Sequence, residues 1–379
     1  MRVLYDGWSL VRNPVSPSSL HLLAILENLP EEIESLLVLP EVSPGWLTGI
    51  NAHVQPTANT PLGRWLWEQV RVPGLANQFK ADLLHLMTPT APLISSSTIL
   101  YSPCYHGAGM EDPSVFWRRI PDSNLFLNRL RSSFAQGGMA QVSEIVWPQD
   151  VPHPPKKRHE ARIPPVLPSL YLIGPGEQGS TNRTIMHTLS REKKDYDLPE
   201  SFILYHGPGD QGSLVNLLNA WRWAAEAIGG LNPLVVVGLD RQEQAIAAHL
   251  VEEYALGVDL HILPIINPID LAWFYRACVA VFHPAPTSPW AGPVRLALAH
   301  GKPLVASENT ISDAIAGPAA YLAPAGDGRA LGAALVTVIV EEQFAGEISA
   351  SALKRSAAWR ATDIGEQLLG RYQLAQGGF

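Results

Sequence analysis

The turn Gly207-Pro208-Gly209-Asp210-Gln211-Gly212-Ser213 lies between an apolar run, Phe202–His206, and a helical pattern, Leu214–Trp223. A glycine-rich turn at a helix N-terminus aims backbone N–H groups and the helix dipole at one point, which is what a phosphate needs. An ordinary tight turn is the simpler alternative. A second stretch, Val279–Ser307, begins with apolar Val279–Phe282 and breaks at His283-Pro284 into a proline-rich loop. Helical spacing follows from Val294 to Ala299, Gly301 closes that helix, and Pro303–Ala306 is a second apolar run. Two parallel strands joined by a helix fit this order. The loop then sits at the carboxyl end of the first strand, the edge where open α/β sheets hold ligands. Acid–base chemistry would need groups such as Glu68, His85 and His106. Each reads more simply as a structural residue. Cys104 and Cys278 are far apart and make neither a metal pattern nor a disulfide framework.

The elements that must position these residues follow from periodicity. MRVLYD at residues 1–6 reads as a buried strand, Trp8–Ser19 as a loop, Leu20–Leu29 as a helix ending at Pro30, and Ser35–Pro40 as a strand. This β-loop-α-β opening starts a doubly wound domain. Gly63–Phe79 reads as a helix, Asp82–Leu86 and Thr98–Ser102 as strands, Trp117–Gly137 as a helix and Val142–Trp147 as a strand. Pro148–Pro168 carries seven prolines and the basic run Lys156-Lys157-Arg158-His159, and is expected to be an irregular, solvated connection. After a polar linker, strands are expected at Phe202–His206, Pro233–Leu239, Leu260–Pro264 and Ala319–Leu322. Helices are expected at Arg241–Tyr254, Asp270–Ala277 and Gly328–Glu342.

Composition narrows the function classes. Charged residues are 16 % of the chain and the net charge is -8, which argues against a nucleic-acid binder. No apolar run approaches the roughly 18 residues of a membrane span. The N-terminus places Asp6 where a signal peptide would be apolar, so a cytoplasmic protein is expected. Low charge with 11 tryptophans suggests apolar surface that a protein partner, or peripheral contact with a membrane face, would cover. The basic run at 156–159 is the only cue for anionic lipid.

The stretch Val279–Ser307 resembles the donor-site segment of glycosyltransferase family 4, the retaining GT-B enzymes. That family shows F-P-S, a short loop, then E-G-F-G-x-P-x-x-E-A-M-A-x-G-x-P-V. Phe282, Pro284, Pro293, Ala297, Ala299, Gly301, Pro303 and Val305 match. The first glutamate falls on Ser288 and the second on Leu296, with Trp290 between them. The family's glycine turn ends in Arg-Lys-Asn, and those positions hold Gln211, Gly212 and Ser213 here. Trp67-Glu68-Gln69 with Pro73, then Ala81-Asp82 and His85, resembles the W-E-Q-x-x-x-P and A-D-x-x-H segments on the acceptor side. The family's first loop carries a G-x-G turn. Val15–Ser19 stands there without glycine, so Ser18 and its neighbours face substrate or cap the helix. His106 stands near the family's His-Asp position, and Tyr275-Arg276 match its Y-R packing helix. Ser356–Tyr372 resembles its closing helix. The likeness covers 200–325 and 60–93, and elsewhere follows strand order only.

The resemblance implies two Rossmann-like doubly wound domains facing a cleft, with a C-terminal helix crossing back. The expected boundaries are an acceptor-side domain at 1–172, a linker at 173–200, a nucleotide-sugar-side domain at 201–355, and a crossover helix and tail at 356–379. The implied donor cleft is lined by Gly207, Gly209, Gln211, Gly212, Ile265, Ser288, Trp290, Pro293 and Leu296. The acceptor side is implied at Ser18, Glu68, His85 and His106. No metal or cofactor is expected, and a nucleotide-sugar only if the protein is active. Both glutamates and both cations are replaced together, so the first expectation is a pseudoenzyme: a binding or scaffold subunit beside an active glycosyltransferase or other partner. The alternative is an active transferase with a rebuilt donor site that uses a nucleotide- or lipid-linked sugar.

Overall fold

The computed structural model describes the chain except residues 48, 105–132, 135, 153–159, 173–195, 257–258, 360–363 and 378–379. His106, the basic run at 156–159, most of the expected helix at 117–137 and most of the linker lie outside the described residues. The chain divides into two compact units. The first comprises Met1–Val166, Ser288–Ala291 and Thr362–Phe379; the second comprises Leu167–Thr287 and Gly292–Ala361.

The first unit is built on β1 (Arg2–Asp6), β2 (Glu34–Leu39), β3 (Ala52–Val54), β4 (Leu83–Leu86), β5 (Thr98–Tyr101), β6 (Val142–Pro148) and β7 (Glu160–Ile163). These form a seven-stranded sheet in the order β3-β2-β1-β4-β5-β6-β7, parallel throughout. The second unit carries β8 (Ile203–His206), β9 (Leu234–Val237), β10 (Leu260–Ile262), β11 (Ala280–His283), β12 (Leu304–Glu308) and β13 (Tyr321–Pro324). Its six strands run β10-β9-β8-β11-β12-β13, again all parallel. Helices cover both faces of such sheets, so central strands bury both sides and read as unbroken apolar runs. Val3–Tyr5 and Ile203–Tyr205 are fully buried in this way.

In each unit the chain winds outward from its first strand, returns, and continues on the other side. The order therefore reverses between β1 and β4 and between β8 and β11. These switch points open at the carboxyl ends of the strands, beside Gly7 and Met87 in the first unit and beside Gly207 and Pro284 in the second.

Local sequence explains most elements. Gly301 follows the helix Pro293–Ala299 with φ +61, a left-handed closure that glycine adopts freely. A Cβ there would stand 2.7 Å from the Leu353 side chain, so glycine is also required by packing. Lys302 Nζ donates to the carbonyls of Arg276 and Cys278 at 2.7 and 2.8 Å, satisfying the end of the helix Pro268–Ala277. In that helix Tyr275 is more than packing: its hydroxyl shares a 2.9 Å hydrogen bond with His206 Nδ1.

Several expectations change. The segment after Asp6 is not all loop, because Trp8–Arg12 is helical and Ser16 caps the helix Pro17–Glu27. Glu160–Ile163 is a strand within the stretch expected to be irregular; it adds to β6 as an edge, where its neighbouring prolines are tolerated. The helix from Pro61 widens into a π-type turn over Trp67–Arg71 before continuing as Val72–Phe79. Pro73 has no N–H to return to this turn. A helix not expected from the sequence, Glu342–Ser356, precedes the closing segment, in which the helix Ile364–Gln376 carries most of the expected Ser356–Tyr372. None of the described helices is long and apolar enough to cross a membrane.

The helix Ile364–Gln376 places Ile364, Leu368, Tyr372 and Ala375 in the first unit's core. Its polar anchor is Tyr372. The hydroxyls of Tyr5 and Tyr372 are 3.1 Å apart, Tyr372 reaches His85 Nδ1 at 2.7 Å, and His85 Nε2 reaches Ser102 Oγ at 2.9 Å. Burial holds His85 down to about 3, so the ring is neutral and each group in the chain finds a donor or an acceptor. Tyr372→Phe strands Tyr5 and His85 in a dry core. It should cost about 2 kcal/mol in denaturant unfolding, and a loss under about 0.5 kcal/mol would show that the network anchors nothing.

Candidate functional site

At the second unit's switch point, β8 ends at His206 and the chain turns through Gly207, which has φ +30 and donates its N–H to Val237 O at 3.0 Å. Asp210 then caps the helix Gln211–Ala224: its Oδ1 accepts from Ser213 N at 3.2 Å and its Oδ2 from Ser213 Oγ at 2.7 Å. A carboxylate thus holds the first turn of the helix, the place an anion would use. Gln211 and Gly212, where the resemblance expects cations, are exposed and uncharged.

Gly209 faces Glu243. A Cβ on Gly209 would lie 2.5 Å from Glu243 Cδ and 2.6 Å from its Cβ, so this glycine is demanded by a side chain already in place. Glu243 belongs to the helix Arg241–Glu253, whose N-cap is Asp240. Its Oε2 accepts from Asp240 N at 2.8 Å, and the carboxylate also accepts from the Gly209 N–H. Asp240 Oδ1 returns the contact, accepting from the N–H groups of Gln242 and Glu243 at 2.8 and 2.9 Å. Burial first, then Asp240, then Asp210 push the Glu243 carboxyl up to about 7, while the two backbone hydrogen bonds oppose them. Below the turn, Tyr205 donates its hydroxyl to Pro208 O; burial, Asp210 and Glu243 push its ionisation up.

On the other side of the switch point, the loop from Pro284 to Gly292 has no regular structure yet is almost wholly buried. Ser288, Trp290, Pro293 and Leu296 are all buried, and Leu296 is fully so. Four residues of this loop, Ser288–Ala291, count with the first unit. There Trp290 enters the apolar core and stacks on His21, with ring centroids 4.1 Å apart and planes 18° apart. Thr287 Oγ1, Ser288 Oγ and Trp290 Nε1 are buried with no hydrogen-bond partner among the described residues. His283 donates from Nε2 to Pro286 O at 3.2 Å, and burial lowers it to about 4, so it is neutral. Ile265, after β10, is 41 % exposed and makes a surface rather than a core contact.

In the first unit, Ser18 is buried and donates to Met87 O at 3.1 Å, while Ser16, not Ser18, caps the helix. Glu68 is 4 % exposed and paired with Arg64 Nε. The Arg64 guanidinium lies 4.6 Å from the Trp8 ring, and Trp67 Nε1 donates to Asp6 Oδ1 at 2.8 Å. Glu68 therefore supports the loop after β1, and His85 is committed to Tyr372 and Ser102. Among the described residues no three acids, histidines or cysteines gather as metal ligands.

Asp210 and Glu243 are the residues that the sequence reading of the site missed. Asp240-x-x-Glu243 is legible as a capping box. Its arrival over Gly209 is a tertiary fact that no local spacing announces.

No protein-family model matches the chain. No curated protein matches it. Solved structures do. The chain is similar to sucrose-phosphate synthase from Thermosynechococcus elongatus, with TM-score 0.66 and 17 % identity over 99 % of each chain. It is similar to Anabaena HepE in complex with UDP and glucose, with TM-score 0.66 and 17 % identity over 98 % of this chain and 99 % of that one. It is also similar to WaaG, a glycosyltransferase involved in lipopolysaccharide biosynthesis, with TM-score 0.65 and 13 % identity over 100 % of both. The fold is GT-B.

The Glu243 site predicts a pH dependence. Its folded value of about 7 lies above the ordinary 4.5. The folded state therefore holds the proton more tightly, and the stability this gives is complete below 4.5 and is lost as pH rises through 7. The loss amounts to about 3 kcal/mol. Relative to Glu243→Gln, the wild type should weaken between pH 5 and 8 in denaturant unfolding. A difference that does not change with pH would contradict the burial of this charge.

Proposed function

We propose that this GT-B protein does not transfer sugar from a nucleotide donor and serves as a binding or scaffold subunit, beside an active glycosyltransferase or another protein partner. One observation carries the reading. At the glycine turn, two of the backbone N–H groups a diphosphate would use, those of Ser213 and Gly209, are engaged by the protein's own carboxylates Asp210 and Glu243. Like charges about 4 Å apart repel by roughly 4 kcal/mol near a protein surface, and a diphosphate would meet both. The positions expected to carry cations, Gln211 and Gly212, offer none, and each such lost contact typically costs about 3–4 kcal/mol in rate. Ser288 and Leu296 stand where the resemblance expects the two glutamates, and Leu296 can accept no hydrogen bond. A cytoplasmic setting accords with two buried free cysteines.

A second reading keeps transfer activity with a rebuilt donor site and a nucleotide- or lipid-linked sugar. It is favoured by Ser288 Oγ and Trp290 Nε1, buried in the first unit with no hydrogen-bond partner among the described residues, whose hydrogen bonds a hydroxylated ligand would complete. It is also favoured by the fold shared with HepE, whose structure holds UDP and glucose.

A thermal-shift panel of UDP, GDP, ADP and their sugar conjugates at pH 8 separates the two. The scaffold reading predicts a flat response. A ligand present at about 100 times its dissociation constant would add roughly 2.7 kcal/mol, and such a response to any nucleotide would sink the reading.

A further inference from the structure

Missing cations alone would leave the glycine turn empty and weak. The structure shows it filled instead. Glu243 reaches it from the helix that follows β9, the strand next to β8. Its carboxylate accepts from two backbone donors, Gly209 N–H and Asp240 N–H. Converging backbone N–H groups beside a helix N-terminus are how proteins hold phosphate oxygens. Here the Gly209 N–H of the turn holds a carboxylate of the same chain, the Asp240 N–H being the cap of Glu243's own helix, and Gly209 has no Cβ to keep that side chain away.

We propose that Glu243 is an internal anion that shuts the glycine turn to phosphate-type ligands, and that the turn becomes an anion site when Glu243 is neutralised or removed. This rests on the reading above that the turn takes no nucleotide donor, and adds what holds it closed.

The surroundings make Glu243 a movable plug rather than a permanent one. The charged groups that act on it are Asp240 from its own helix and Asp210 from the neighbouring one, and both are acids. From β8 it meets Tyr205, a neutral phenol. No lysine or arginine is among the groups that hold its charge. Ionised Glu243 is therefore kept by two amide hydrogen bonds against two carboxylates. Protonation removes the repulsion but also weakens both hydrogen bonds, since bonds to an ionised acceptor are about twice as strong as neutral ones. The sign follows: the turn is closed to anions above neutrality and opens as pH falls below about 7.

The test uses the full chain and inorganic pyrophosphate, with binding followed by calorimetry at pH 8 and pH 6 for wild type, Glu243→Ala and Glu243→Gln. At pH 8, Glu243→Ala should bind at least about tenfold tighter than wild type. Wild type should gain several-fold on going to pH 6, whereas Glu243→Ala should show only the change due to pyrophosphate's own ionisation. Glu243→Gln keeps the shape and folding contacts without the charge, and should bind between the two. The wild-type pH response needs no variant, so a misfolded alanine mutant would not decide the matter. Variants that melt like wild type yet bind no better would overturn the proposal and leave the functional reading standing. Wild type binding as tightly as Glu243→Ala at pH 8 would also overturn it. A response of wild type to a nucleotide-sugar at pH 8 would instead overturn the functional reading.

Discussion

A parallel sheet wound outward from its first strand in both directions has one edge position where backbone N–H groups remain uncommitted, and each half of this molecule is built around that constraint. In the second unit the position lies between β8 and β11. What stands there sets what the protein can hold. The strands supply the frame at no chemical cost, because their backbone is saturated and their side chains are apolar. The few free donors at Gly209 and at the following helix N-terminus are therefore the whole binding capacity of the turn. Two of them are engaged inside the protein, Gly209 N–H by Glu243 and Ser213 N–H by Asp210.

The same economy governs the rest of the candidate site. Leu296 is fully buried in the helix after β11 and adds packing where the resemblance expects an acceptor. Trp290 leaves that loop to enter the first unit's core against His21. In the first unit, Glu68 and His85 keep the residue types of an acid–base pair, yet one answers Arg64 and the other Tyr372. Both of these residues are turned inward to hold the fold.

Much of this is legible in the sequence. The unbroken apolar runs at Val3–Tyr5 and Ile203–Tyr205 announce parallel strands, because both of their faces are covered. Gly301 and Pro303 mark a helix end and a strand start, and Gly301 does close the helix through a left-handed turn. Harder to see was β7, a short edge strand set among prolines, whose existence depends on pairing with β6 rather than on its own pattern. The helix Glu342–Ser356 has few buried residues and so little periodicity to read. Glu243 was the least legible of all. Its capping box is local, but its approach to Gly209 joins residues more than thirty apart through the packing of two helices. Sequence spacing carries no trace of that.

The most direct test of the account is a carbon-detected titration of the Glu243 carboxyl in the intact protein, assigned by comparison with Glu243→Gln. Seated in the turn, between Asp240 and Asp210, the group should titrate near 7, and the Gly209 amide should report the same midpoint. A midpoint at the ordinary 4.5, with the Gly209 amide unmoved, would mean that the carboxylate stands in water and the turn is open.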